Sequence, residues 1–128
     1  MRKMRVLLAD DHPGILRAVQ GLLEPDFDIV GSVDNGESLF DAAMKLKPDV
    51  IVSDISMPAL SGIDAANRLR EFGCPSKVVF LTVHTDPDVV RVALDTGALG
   101  YVLKTSIDTD LLSAIQDAIA GRVFVSLR

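Results

Sequence analysis

The sequence predicts one doubly wound α/β domain: a five-stranded parallel sheet in the order 2-1-3-4-5, with helices on both faces. Three observations predict it. Five short runs rich in β-branched residues or leucine alternate with five stretches of helical periodicity along a chain of 128 residues. The central run, Val50–Ser53, carries no polar residue before its last position, as a strand covered on both faces requires. Turn and helix-boundary residues separate the runs, and right-handed crossovers leave few arrangements for such units.

Met4–Ala9 reads as the first strand. Pro13 suits the first turn of a helix, whose face is Ile15, Leu16, Val19, Leu22 and Leu23, up to Pro25. Phe27–Val33 is the second strand. Asn35-Gly36 is a turn, and Leu39, Phe40, Ala43 and Leu46 form the next helical face, ending before Pro48. After the third strand, Val50–Ser53, the pair Ser61-Gly62 introduces a helix carrying Ile63, Ala66 and Leu69. Val78–Leu81 is the fourth strand. Asp86-Pro87 opens a helix with Val89, Val90, Ala93 and Leu94, which Gly97 stops. Gly100–Leu103 is the fifth strand. Ile107, Leu111, Leu112, Ile115 and Ile119 line the last helix, which Gly121 ends. The domain is expected over residues 1–122. Residues 123–128 form a short tail that suits a strand remnant, a frayed end or the start of a linker.

Hydrophobic residues make up 48% of the chain and charged residues 24%, enough to build a core and too apolar for disorder. The net charge of −5 excludes a general basic surface for gripping nucleic acid, so any DNA contact is expected through another domain. Cys74 is the single cysteine, which excludes an intrachain disulfide. No apolar run reaches the length of a membrane span, and the basic start Met1-Arg2-Lys3-Met4-Arg5 leads into too short a run for a secretory signal. A cytoplasmic protein is the expectation.

The chemistry collects where the strands end. Asp10 and Asp11 follow the first strand, Asp54 the third, Thr82 the fourth and Lys104 the fifth. In an open parallel sheet the carboxyl ends form the ligand-binding edge, and this order puts its switch point between strands 1 and 3, beside Asp10, Asp11 and Asp54. Each residue alone has a plainer use: Asp caps a turn or helix, Thr satisfies its own strand end, and Lys lies along the surface. Three carboxylates together repel one another, and a hard divalent ion with oxygen ligands relieves that repulsion. Mg²⁺, or Mn²⁺, is the expected cofactor, with Asp10, Asp11 (directly or through water), Asp54 and the Ser56 backbone carbonyl as ligands. A carboxylate can act as nucleophile and become an aspartyl phosphate, and the transferring oxygens then need a metal and a cation. Asp54, lying centrally, is the expected phosphoacceptor. Lys104 neutralises charge, and Thr82 donates to a phosphoryl oxygen.

The spaced set Asp10-Asp11, Asp54 with Met57-Pro58 and Gly62, Thr82, and Tyr101 with Lys104 resembles the response-regulator receiver domains of two-component signalling. The resemblance spans about residues 4–122. Asp10-Asp11-His12-Pro13, Asp54-Ile55-Ser56-Met57-Pro58 and Gly100-Tyr101-Val102-Leu103-Lys104 are most similar to receivers of the NarL/FixJ type. It implies a flavodoxin-like receiver fold and a histidine kinase as phosphoryl donor to Asp54. It implies that Thr82 and Tyr101 switch the face made by the fourth helix, fifth strand and fifth helix. It implies that Ser56 and His84 tune dephosphorylation. A DNA-binding output domain is expected to follow in the full protein, with a stand-alone receiver acting through protein partners as the alternative. Phosphorylation-dependent homodimerisation is expected, either through that switch face or through the side of helices 1 and 5. Such domains often carry proline after the lysine, with a cis bond; here Thr105 follows Lys104, and a non-proline cis bond costs roughly 2.5–4 kcal/mol.

Two other classes fit less well. A haloacid-dehalogenase-type phosphatase wants a second acid two residues after its nucleophile, where this chain has Ser56. A nucleotide-binding domain wants a Gly-, Ser- or Thr-rich phosphate loop after strand 1, where this chain has two acids, and no glycine-rich phosphate motif is present. His12 reads as a solvated residue at a helix start, and Tyr101, read without the family, as an amphipathic aromatic at a surface rim.

Overall fold

The structure is a computed structural model and describes residues 3–126. In chain order the elements are β1 (Arg5–Ala9), α1 (Pro13–Leu23), β2 (Asp28–Val33), α2 (Gly36–Leu46), β3 (Val50–Ser53), α3 (Gly62–Glu71), β4 (Lys77–Thr82), α4 (Pro87–Asp95), β5 (Gly100–Leu103), α5 (Ile107–Ile119) and β6 (Phe124–Val125). All strands pair in parallel in the order β2-β1-β3-β4-β5-β6. The expected 2-1-3-4-5 sheet is therefore present, with one strand added at its β5 edge.

Strand alternation explains the two covered faces. Val6 and Leu8 of β1 pack with Val19 and Leu23 of α1 and with Leu111 and Ile115 of α5. Their neighbours Leu7 and Ala9 point the other way, to Leu39 and Ala43 of α2 and Ala65 and Leu69 of α3. Phe80, Tyr101 and Leu103 continue that second face onto Ala66 of α3 and Ala93 of α4. Three helix starts are capped by side chains that satisfy otherwise orphaned backbone N–H groups: Asn35 accepts from Ser38, Ser61 from Asp64 and Asp86 from Asp88. Helix α1 has no side-chain cap and starts on Pro13, which has no N–H to satisfy.

The register sets the functional edge. Ala9 lies opposite Ser53, so Asp10 and Asp54 leave adjacent strands side by side, and the Asp54 N–H donates to the Ala9 carbonyl at 2.9 Å. Thr82 lies opposite Leu103, which brings Lys104 to the same edge.

The sixth strand is the main departure from the sequence expectation. The sheet continues past residue 122, and of the three readings of the tail, residues 124–125 take the strand; Leu127 and Arg128, like Met1 and Arg2, lie outside the described residues. The N–H groups of Phe124 and Ser126 donate to the carbonyls of Leu99 and Tyr101, both at 2.8 Å. The Ser126 hydroxyl accepts from the Leu103 N–H at 3.1 Å and donates to Asp110 Oδ2 at 2.8 Å. Ser126→Ala strands a buried N–H and a carboxylate oxygen, and is expected to cost about 1–2 kcal/mol in urea unfolding. An unchanged midpoint would show that the Ser126 hydroxyl contributes nothing to the fold.

Candidate functional site at the carboxyl edge of the sheet

Asp10, Asp54 and Lys104 form one compact group. The Lys104 ammonium lies 2.9 Å from Asp10 Oδ2 and 3.0 Å from Asp54 Oδ2, and its side chain is 8% exposed. The contact with Asp54 is an aligned hydrogen bond. The contact with Asp10 is an ion pair, and the ammonium is the partner of the buried Asp10 Oδ2. Asp54 Oδ1 accepts from the Ile55 N–H at 2.7 Å and, more weakly, from the Ser56 N–H at 3.4 Å. Asp11 stands at the mouth, its side chain 35% exposed.

His12 joins this group. Its backbone N–H and its Nδ1 both lie 2.9 Å from Asp10 Oδ1, and Nδ1 is 3.2 Å from Asp11 Oδ1 and 3.4 Å from Lys104 Nζ. The ring is exposed to solvent, as expected of a residue at a helix start, yet it also touches both acids. Asp10, Asp11, His12 and Asp54 each present a ligand atom, and these atoms all lie within 4.8 Å of one another. A donor set dominated by carboxylates fits a hard divalent cation.

Burial alone pushes the Lys104 ammonium pKa down. The contacts with Asp10 and Asp54 and their two negative charges outweigh it, and the pKa ends above the ordinary 10.5. Lys104 begins a short 3-10 turn, Lys104–Ser106, and no peptide bond among the described residues is cis, so Lys104–Thr105 is trans.

Thr82 is fully buried, and its hydroxyl accepts from the His84 N–H at 3.2 Å. The Tyr101 side chain is buried rather than lying on a surface rim; its hydroxyl donates to the His84 carbonyl at 2.8 Å. Burial first, and then the charge of Asp86, raise the Tyr101 phenol above its ordinary pKa of 10.0. His84 also reaches the other side of the cleft, where its Nε2 lies 3.1 Å from the Ser56 hydroxyl. One residue thus touches Ser56, Thr82 and Tyr101. The sequence singled out all four and showed none of these links, because a hydrogen bond across two loops leaves no periodic trace.

The loop after Asp54 is held tightly. The Leu60 N–H donates to the Pro58 carbonyl at 2.8 Å around Ala59, whose φ of 68° marks a strained γ-turn. The Gly62 N–H returns to the Ile55 carbonyl at 2.7 Å. A Cβ on Gly62 would stand 1.9 Å from the Asp54 carbonyl oxygen, so only glycine fits. Gly62→Ala is expected to destabilise the domain by about 2–3 kcal/mol and to displace the Asp54 backbone. Chemical denaturation together with amide chemical shifts of residues 54–62 checks this, and a folded variant with unmoved shifts would contradict it.

A parallel 2-1-3-4-5 sheet whose edge gathers two acids after β1, one after β3 and a lysine after β5 defines the receiver class of α/β domain. The family described as the response regulator receiver domain matches residues 6–116, and the chain belongs to that family. The chain is 40% identical over 124 residues to the uncharacterized transcriptional regulatory protein YvfU of Bacillus subtilis, covering 94% of this chain and 62% of that protein. It is 37% identical to the nitrate/nitrite response regulator NarL of Escherichia coli, covering 94% and 57%. The chain thus spans about three-fifths of the length of these relatives. Among solved structures, the receiver domain of the response regulator NarL from Mycobacterium tuberculosis superposes with a TM-score of 0.91 at 32% identity, covering 95% of this chain and 100% of that one. The non-phosphorylated receiver domain of RcsB from Escherichia coli gives 0.89 at 28%, covering 98% and 100%. No helix among the described residues is long and apolar enough to cross a membrane.

Proposed function

We propose that this domain is a phosphorylation-controlled switch in which Asp54 accepts a phosphoryl group from a histidine kinase in a Mg²⁺-dependent reaction. The observation that carries the reading is the convergence of Asp10, Asp11, Asp54 and Lys104 at one edge. An Asp54 carboxylate oxygen forms the new P–O bond as the donor's P–N bond breaks, and the departing imidazole nitrogen keeps the electron pair. A carboxylate nucleophile needs no general base. Lys104 places positive charge where the transferring oxygens gather, and Thr82 offers its hydroxyl from the neighbouring strand end. Asp10, Asp11, Asp54 and the Ser56 carbonyl would hold the metal, which when bound neutralises phosphoryl charge.

The buried Tyr101 hydroxyl on His84 supports a path from Thr82 to the α4–β5–α5 face, which presents the switched surface. Ser56 and His84, joined side chain to side chain, tune the lifetime of the phosphoryl group. The output is control of transcription through a DNA-binding domain elsewhere in the full protein, in the cytoplasm, with homodimerisation on phosphorylation. This domain itself makes no direct DNA contact.

The test is incubation with acetyl phosphate and Mg²⁺ followed by intact mass measurement. One labile phosphoryl adduct per chain is expected, and none without the metal. No adduct with acetyl phosphate or phosphoramidate would overturn the reading, and turnover of many equivalents of a phosphate ester would mark a phosphatase. Millimolar Mg²⁺ is also expected to raise the thermal midpoint by mass action, and Asp10→Asn to shrink that rise. A midpoint insensitive to Mg²⁺ would contradict the metal assignment.

A further inference from the structure

The loop between Asp54 and α3 rests on a glycine of another element. Gly36 opens α2, and its N–H, one of the donors that a helix start leaves without an intrahelical partner, points to the Pro58 carbonyl at 3.4 Å. A Cβ on Gly36 would stand 1.8 Å from the Leu60 carbonyl oxygen, 2.4 Å from the carbonyl carbon and 2.7 Å from the Leu60 Cβ. A side chain at position 36 must therefore push the backbone at Leu60 back by about 1 Å or more. Met57 and Leu60 also pack against the apolar cluster that includes Leu39 and Ala43 of α2. Between them Ala59 holds a φ of 68°, a left-handed conformation that a non-glycine residue keeps only where its surroundings impose it. Toward α3 the loop has no slack, because the Gly62 N–H is tied to the Ile55 carbonyl at 2.7 Å and a Cβ there would strike the Asp54 carbonyl. A push at Leu60 passes instead toward Pro58, Met57 and Ser56.

We propose that Gly36 is a positioning residue for the divalent cation: its bare Cα is the seat that sets residues 57–60, and through them the Ser56 carbonyl, in place beside the acids. Groups that orient metal ligands without touching the ion weigh heavily on affinity, and Gly36 does this from a helix that contributes no ligand. Asp54 is held separately. Its N–H donates to the Ala9 carbonyl at 2.9 Å, and its Oδ1 accepts from the Ile55 N–H at 2.7 Å. The nucleophile therefore stays where it is while the Ser56 carbonyl moves. The consequence is a split effect, in which cation binding weakens and phosphoryl transfer at a saturated site does not. The inference rests on the metal-dependent reading of this edge and adds a residue that sets cation affinity.

The experiment compares the wild-type domain with Gly36→Ala, and with Gly21→Ala as a control, since a Cβ on Gly21 of α1 meets nothing within 4 Å. Amide shifts are recorded without metal and through a Mg²⁺ titration, and the rate of acetyl phosphate labelling is measured across Mg²⁺ concentrations. Gly36→Ala should displace the metal-free signals of residues 56–60 and weaken Mg²⁺ binding about tenfold, with the half-saturating Mg²⁺ for labelling rising by the same factor. The labelling rate at saturating Mg²⁺ should stay within about twofold of the wild type, and Gly21→Ala should match the wild type in every readout. The double variant Gly36→Ala with Ala59→Gly lets the turn yield to the added methyl group, so it should fold even where Gly36→Ala does not, and show the same metal loss. Unchanged Mg²⁺ affinity in a folded Gly36 variant would overturn the inference, as would a slower saturated rate with unaltered Mg²⁺ dependence, or failure of both Gly36 variants to fold. Each of those outcomes leaves the metal site standing, whereas a wild type that binds no Mg²⁺ would overturn the metal reading of the edge together with this inference.

Discussion

Asp54→Asn is expected to abolish phosphoryl labelling while leaving the domain folded. The amide is nearly isosteric, and its oxygen can keep the bond from the Ile55 N–H now made by Asp54 Oδ1 at 2.7 Å. The amide is no nucleophile, so no acyl phosphate forms at this position. The fold survives because the edge loses one of three mutually repelling carboxylates, while Lys104 keeps Asp10 at 2.9 Å. Stability should therefore stay within about 1 kcal/mol of the parent, in either direction. Intact mass after acetyl phosphate treatment, beside a thermal melt, reads both effects. A labelled, folded Asn variant would move the phosphoacceptor elsewhere.

Lys104→Met carries the second large effect. Methionine fills much of the lysine stem's volume and removes the cation that bridges Asp10 and Asp54. Breaking a sealed buried pair costs about 3–5 kcal/mol. Here Asp11 opens the cleft to water, so the expected loss is smaller, about 2 kcal/mol. Mg²⁺ should recover part of it by supplying positive charge to the same acids, and labelling of Asp54 should slow severely even when the metal is present. The pH dependence has a definite sign. Lys104 binds its proton more tightly folded than unfolded, so its stabilisation is fully present below the unfolded value of 10.5 and is lost as pH rises through the higher folded value. Tyr101, raised above 10.0, acts in the same direction, because the unfolded phenol ionises first. Stability of the parent should therefore decline above about pH 10, and the Lys104→Met variant should show a shallower decline. Urea midpoints between neutral and strongly alkaline pH check this; a parent profile flat above pH 10 would contradict it.

Much of the architecture was legible because it is periodic. Val50–Ser53 and Gly100–Leu103 have the bounds that their apolar runs predict, and β4 extends one residue beyond its run at each end, to Lys77 and Thr82, because ladder bonds continue past the last apolar side chain. For residues 123–128 a strand remnant was one of three open readings: two residues carry no alternation to choose between them, and the open edge of β5 decides their conformation. The acids, Thr82 and Lys104 could be placed on one edge from strand ends alone. The burial of Tyr101 was not legible, since a lone tyrosine in a short run fits a rim equally well. The contacts of His12 with Asp10 and Asp11 depend on how the chain turns between β1 and α1, and adjacency in sequence does not report that turn.

The phosphoryl group is expected on Asp54 and on no other residue. The most direct measurement treats the acetyl phosphate-labelled protein with borohydride, which reduces an aspartyl phosphate to homoserine, and then maps the peptides by tandem mass spectrometry. Homoserine is expected at position 54 alone. Reduction at Asp10 or Asp11, or a stable label on His12 or His84 with position 54 unchanged, would contradict it.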